Sequence, residues 1–127
     1  MATEQHDRAY LQARLQEEIA RASRHQTRFA LILFEQTPSG DGLAIGQKME
    51  YGLQALSSAL RGCDVVGQVF EDTVAVLLID TTRRQVGDAL LRMRARLARH
   101  AGTWHITEYH FPEHAAALEV LPLLTAA

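Results

Sequence analysis

The chain has 127 residues, 47% of them hydrophobic and 22% charged, with a formal net charge of −2. This is an ordinary globular composition with room for a core in one domain, residues 1–127, and it lacks the basic excess of a general nucleic-acid or membrane binder. The lone Cys63 excludes an internal disulfide framework, and no apolar run approaches the roughly 20 residues that span a bilayer. The opening Met1-Ala2-Thr3-Glu4-Gln5-His6-Asp7 has neither the charge nor the apolar core of a signal peptide, so the expected location is the cytoplasm, with no membrane insertion.

In chain order, residues 8 to 26 read as a helix. Leu11, Leu15, Ile19 and Ala22 form its buried stripe, and Gln12, Arg14, Glu17, Glu18, Arg21 and Arg24 its solvated face. Arg28 to Phe34 is a continuous apolar run of strand length, as a central strand covered on both faces requires. Thr37-Pro38-Ser39-Gly40-Asp41-Gly42 is a loop in which Ser39 or Asp41 can cap the next helix. That second helix runs to about Leu60 on Ile45, Met49, Leu53, Leu56 and Leu60. Gly46 and Gly52 weaken it, and Gly62 offers a left-handed cap. Strands at about 64–70 and 73–79 form a hairpin, and a third helix at about 82–100 buries Val86, Leu90, Met93 and Leu97. Thr103 to Phe111 is a β-rich run ended by Pro112, and His114 to Leu121 can make a short helix.

After the first helix the order is β-α-β-β-α-β, the split arrangement of ferredoxin-like α+β folds. In that topology the Arg28–Phe34 strand lies antiparallel to the second hairpin strand. Its end, at Glu35, should then meet the Glu71-Asp72 turn. Converging carboxylates at such a place can hold Mg²⁺ for phosphoryl transfer. A pair of carboxylates without phosphate-binding partners makes a poor Mg²⁺ site, so Glu35 and Asp72 are better read as solvated strand-end and turn residues.

The hairpin itself, Asp64-Val65-Val66-Gly67-Gln68-Val69-Phe70-Glu71-Asp72-Thr73-Val74-Ala75-Val76-Leu77-Leu78, resembles the signature hairpin of the GGDEF family, the diguanylate cyclases that make cyclic di-GMP. The likeness spans roughly residues 8 to 112, specific at the hairpin and diffuse elsewhere. It implies a nucleotidyl-cyclase-type fold in which Phe70-Glu71-Asp72-Thr73-Val74 occupy the five signature positions. It also implies that Glu35 and Thr37 stand where the family's first strand carries its Asp-x-Asp. Asp72 falls on the signature's metal-binding acid, and Thr73 replaces the neighbouring acid. The signature glycines have become Phe70 and Glu71, and an aromatic cannot replace a glycine where backbone must nearly touch a phosphate. Pro38-Ser39-Gly40-Asp41-Gly42-Leu43 replaces the family's guanine-reading segment. The resemblance therefore implies a degenerate domain that is not an enzyme, keeping Glu35 and Asp72 as vestiges and using no cofactor or metal.

The family's product-inhibition site is an Arg-x-x-Asp shortly before the signature. Here it is Arg61-Gly62-Cys63-Asp64, six residues before Phe70, and a further family Arg on the next helix falls on Arg92. Arg forks bind phosphate oxygens or the Hoogsteen edge of guanine, and a carboxylate accepts from its N1–H and amino group. The resemblance thus implies cyclic di-GMP binding by Arg61, Asp64 and Arg92, the role of degenerate GGDEF receptors. The plainer reading is structural: Arg61 complements a helix C-terminus, Gly62 caps it and Asp64 opens a strand. The alternative function is a nucleotide-independent module that pairs with itself or a partner protein through a sheet edge or its first helix.

Three other features carry less. Arg92, Arg96 and Arg99 make a solvated helix face, since nothing else in the chain suits nucleic acid. His105 and His110 lie five apart on a strand and so on opposite faces. Cys63 has a cationic neighbour but no base beside it.

Overall fold

The computed structural model describes residues 5–37, 45–98 and 103–121. The loop containing Ser39 and Asp41, and Arg99 of the basic face, lie outside the described residues.

The first helix, α1 (Arg8–His25), starts on Asp7, whose carboxylate accepts the Tyr10 N–H at 2.9 Å, and ends on Gln26 in the left-handed region at φ 55°. Leu11, Leu15 and Ala22 are buried as their spacing predicts. Glu18 is also fully buried, contrary to its expected place on the solvated face. Arg14, four residues before it, and Arg21, three after, both donate to its carboxylate, and Arg21 reaches on to Asp80 at 2.9 Å. Helical spacing brought these charges together, and the pairing lets the carboxylate turn inward.

Strand β2 (Phe29–Thr37) is the centre of the molecule. It runs antiparallel between β4 (Thr73–Ile79) and β5 (Thr103–Phe111), and its residues alternate between two cores. Ala30, Ile32 and Phe34 face the core built with α2 (Ile45–Ser58) and α3 (Arg83–Leu97). Phe29 and Leu31 face the core built with α1 and the short α4 (Ala115–Glu119), where Leu118 is buried. Two covered faces explain why its sequence is continuously apolar.

With β3 (Val65–Phe70) the sheet reads β3-β4-β2-β5, the ferredoxin-like order. A fifth strand that the sequence did not signal, β1 (Gln5–His6), pairs parallel to β3 at the edge. It is possible because of Gly67, which lies opposite His6. A Cβ there would collide with the His6 carbonyl oxygen and come within 2.8 Å of Leu11 Cδ2.

Two helix ends differ from expectation. Helix α3 stops at Leu97, having begun on a Thr82–Gln85 capping box. Helix α2 stops at Ser58, where Arg96 donates to the Ser58 carbonyl at 3.2 Å and its hydroxyl at 2.7 Å. That side chain satisfies a terminal carbonyl, so Gly62 is not needed as a left-handed cap and does not adopt that conformation. Gly52, costly in a helix, lies under the Trp104 ring, where a Cβ would come within 2.6 Å of the indole.

Substituting Gly67→Ala should therefore unseat β1 and disturb Leu11, costing about 1–3 kcal/mol as overpacking does. Urea denaturation read against the parent checks this, and an unchanged midpoint would show that β1 contributes nothing.

Candidate functional sites at the two ends of the hairpin

At the turn end, the β2–β4 register sets Glu35 opposite Thr73, and the Gln36 N–H donates to the Asp72 carbonyl at 2.8 Å. The acid ending β2 thus meets the hairpin turn, as the topology requires. The β2–β5 register sets His105 opposite Glu35 on its other side. A cleft of about 620 Å³ opens here, with Leu33, Phe70, Tyr109 and Leu121 as apolar walls and Glu35, Glu71, Asp72 and His105 among its polar lining. Among the described residues no three His, Cys, Asp or Glu side chains converge to hold a metal ion. The Asp72 carboxylate accepts the Thr73 hydroxyl at 2.9 Å, and Gln68 Nε2 donates to the Glu71 carbonyl at 3.1 Å, closing the turn. Phe70 lies beyond a bulge in β3 with the Arg8 guanidinium 4.6 Å from its ring centroid. Side-chain mass therefore stands where the resemblance places the signature's first glycine.

The open end of the hairpin holds the second site. Asp64 is buried, and its carboxylate is richly supplied with donors. Oδ2 accepts the Arg61 backbone N–H at 3.0 Å and Nε at 3.4 Å. Oδ1 accepts Arg61 Nη2 at 3.2 Å, the Ile79 N–H at 3.4 Å and the Cys63 thiol at 3.8 Å. Arg61 Nη2 also donates to the Ile79 carbonyl at 2.9 Å. The short Arg-x-x-Asp segment turns back on itself, with the Asp64 N–H donating to the Arg61 carbonyl at 3.1 Å, and ties the start of β3 to the end of β4. The hydrogen bond to Asp64, with its charge, raises the Arg61 pKa above its ordinary value against the opposing pull of burial.

Arg61 is nonetheless half exposed and lines a pocket of about 190 Å³ together with Asp64, Thr81, Gln85, Asp88 and Arg92. Arg92 emerges beside the buried Met93, exposed, at the rim. The structure thus brings Arg61, Asp64 and Arg92 to one pocket and also closes Arg61 onto Asp64. Sequence reasoning missed Gln85 and Asp88. Their signal was available, because they precede Arg92 by two turns and one turn on the same helix face. His105 and His110 lie on opposite faces as expected, and His110 Nε2 sits 3.2 Å from Glu108.

Comparison with known proteins bears on the fold. No family model and no curated protein sequence matches the chain. Among solved structures, it is similar to a diguanylate cyclase protein from Thermotoga maritima at 16% identity and a TM-score of 0.76, covering 92% of this chain and 95% of that one. It is similar to diguanylate cyclase SiaD of Pseudomonas aeruginosa, solved with its activator SiaC, at 20% identity and 0.71, covering 88% of this chain and 52% of that one. The GGDEF domain of DgcB from Caulobacter crescentus, solved with cyclic di-GMP, matches at 11% identity and 0.60, covering 85% of this chain and 70% of that one. The chain therefore has a mixed α+β fold of the kind seen in nucleotidyl-cyclase domains. More narrowly, it has the fold of GGDEF domains and is GGDEF-like.

The Asp64 bonding makes a stability prediction. Asp64→Ala removes the acceptor of the Ile79 N–H and of the Arg61 backbone N–H and Nε, and should cost about 1–3 kcal/mol. Arg61→Ala, at a half-exposed side chain, should cost less. Chemical denaturation of both variants checks the order, and equal losses would contradict it.

Proposed function

We propose that this domain is a catalytically inactive, cyclic di-GMP-binding regulatory module. The observation that carries the reading is the convergence of Arg61, Asp64 and Arg92 on one pocket. Arg61 and Arg92 present guanidinium groups to phosphate oxygens or to the Hoogsteen edge of guanine. Asp64 has its acceptors filled, so binding guanine through N1–H requires Arg61 to swing outward and release the carboxylate. The ligand would then exchange an internal ion pair for its own contacts, and that exchange couples binding to the geometry of the hairpin.

Inactivity is supported at the turn end. Phe70 and Glu71 stand at the positions of the signature glycines, Thr73 replaces an acid, and Asp72 is engaged by Thr73. Phosphoryl transfer with two metal ions needs more carboxylate convergence than Glu35 and Asp72 supply.

A second reading is favoured by the closed Arg61–Asp64 pair. If that pair is purely structural, the domain is a nucleotide-independent interaction module.

Calorimetric titration with cyclic di-GMP separates the two readings. Micromolar binding, lost in Arg61→Ala and in Arg92→Ala with both variants folded, is the expected result. No heat from folded protein at high ligand concentration would sink the receptor reading. Incubation with GTP and Mg²⁺ should yield no cyclic di-GMP, and product formation would overturn the assignment of inactivity.

A further inference from the structure

Strand β5 is nine residues long and pairs with β2 on one side and with no described strand on the other. Hydrogen bonds elsewhere in the sheet fix which of its backbone groups face outward. The Gln36 N–H donates to Asp72 and the Arg28 carbonyl accepts from Thr81, so even-numbered residues of β2 and its approach direct their groups to the β4 side. Odd-numbered β2 residues then bond β5. Through the register, His105, Thr107, Tyr109 and Phe111 bond inward, leaving Trp104, Ile106, Glu108 and His110 facing out. His110 agrees: its N–H donates to His114 Nδ1 at 2.8 Å, and its carbonyl accepts the His114 N–H at 2.7 Å. The outward groups of His110 are therefore used, and those of Trp104, Ile106 and Glu108 are not taken up by a described strand.

This edge is only lightly guarded against strand addition: Glu108 is its one Asp, Glu, Lys or Arg, and the segment at His114 covers only the His110 end. Residues 103–111 contain no Lys, Arg or Pro, and the β2–β5 ladder runs without a register shift. We propose that two copies of this chain pair antiparallel through β5, about a two-fold axis at Ile106, to form one continuous sheet.

The register follows from the strand's own chemistry. Centring on Ile106 sets Trp104 against Glu108 of the second copy and Ile106 against Ile106, each pair exchanging both backbone bonds. Every free group is used, and the half-buried Ile106 gains an apolar neighbour. Centring on Thr107 would set Trp104 against His110, whose groups already serve His114. Centring on Glu108 would oppose two carboxylates, which is unfavourable. Centring on His105 would run past the start of the strand at Thr103. The pairing uses no residue of the Arg61 pocket, so it stands or fails apart from the nucleotide reading.

Light scattering of the full chain over a concentration series, beside Glu108→Pro, tests the pairing. The Glu108 N–H points outward, so proline removes an intermolecular donor without breaking the β2 ladder. The expected result is a dimer for the parent and a monomer of unchanged circular dichroism for the variant. The register is tested on a Cys63→Ser background. Ile106→Cys should crosslink across the axis, where paired Cα atoms lie about 5.5 Å apart, and Glu108→Cys should not. A parent that stays monomeric leaves the edge to another protein's strand and overturns self-pairing. A dimer that survives Glu108→Pro, or a crosslink at 108 without one at 106, overturns it equally.

Discussion

The buried carboxylate of Asp64 is the constraint on which the functional half of the molecule depends. It gathers the Arg61 backbone and side chain and the Ile79 N–H, and so closes the open end of the hairpin. A buried anion is costly unless donors surround it, and here they come from the end of β4 and from the segment preceding β3. That need fixes where Arg61 lies. It also means that the group proposed to read guanine is, in this state, the group that holds the hairpin together.

The same hairpin separates the molecule's two candidate chemistries. Its turn end meets the end of β2 because β2 is central and pairs with β4, so Glu35 and the turn must be neighbours. A cleft persists there, but Phe70, with Arg8 over its ring, fills space that a phosphate-binding backbone would leave open. Its open end keeps a compact arginine-lined pocket with Arg92 at its rim. The proposed function assigns recognition to the open end and no turnover to the turn end.

How much of this was legible in the sequence depended on the range of the forces involved. The hairpin, β2, β5 and the stripe of α3 were readable because apolar period and turn chemistry are local signals. The meeting of Glu35 with the turn was readable because topology dictates it. Strand β1 was not, because two residues carry no pattern and their pairing rests on an absent side chain at Gly67. Glu18 misled because a carboxylate on a helix reads as solvated until its two arginine partners are counted. The end of α2 was misplaced because Arg96, 38 residues away, supplies its cap. At the Arg61 site, spacing located the residues but could not show that Asp64 has its acceptors filled.

The central claim is that ligand binding exchanges the Arg61–Asp64 pair for contacts to cyclic di-GMP. The most direct test follows the Arg61 Nε–H and the Ile79 amide by nitrogen-proton NMR during titration with the dinucleotide. Release of Asp64 predicts large shifts of both signals, together with Arg92 Nε–H, while residues of the turn at Glu71 and Asp72 stay still. If the Arg61 and Ile79 signals hold their positions through saturating ligand, the pair is a structural clasp and the account is contradicted.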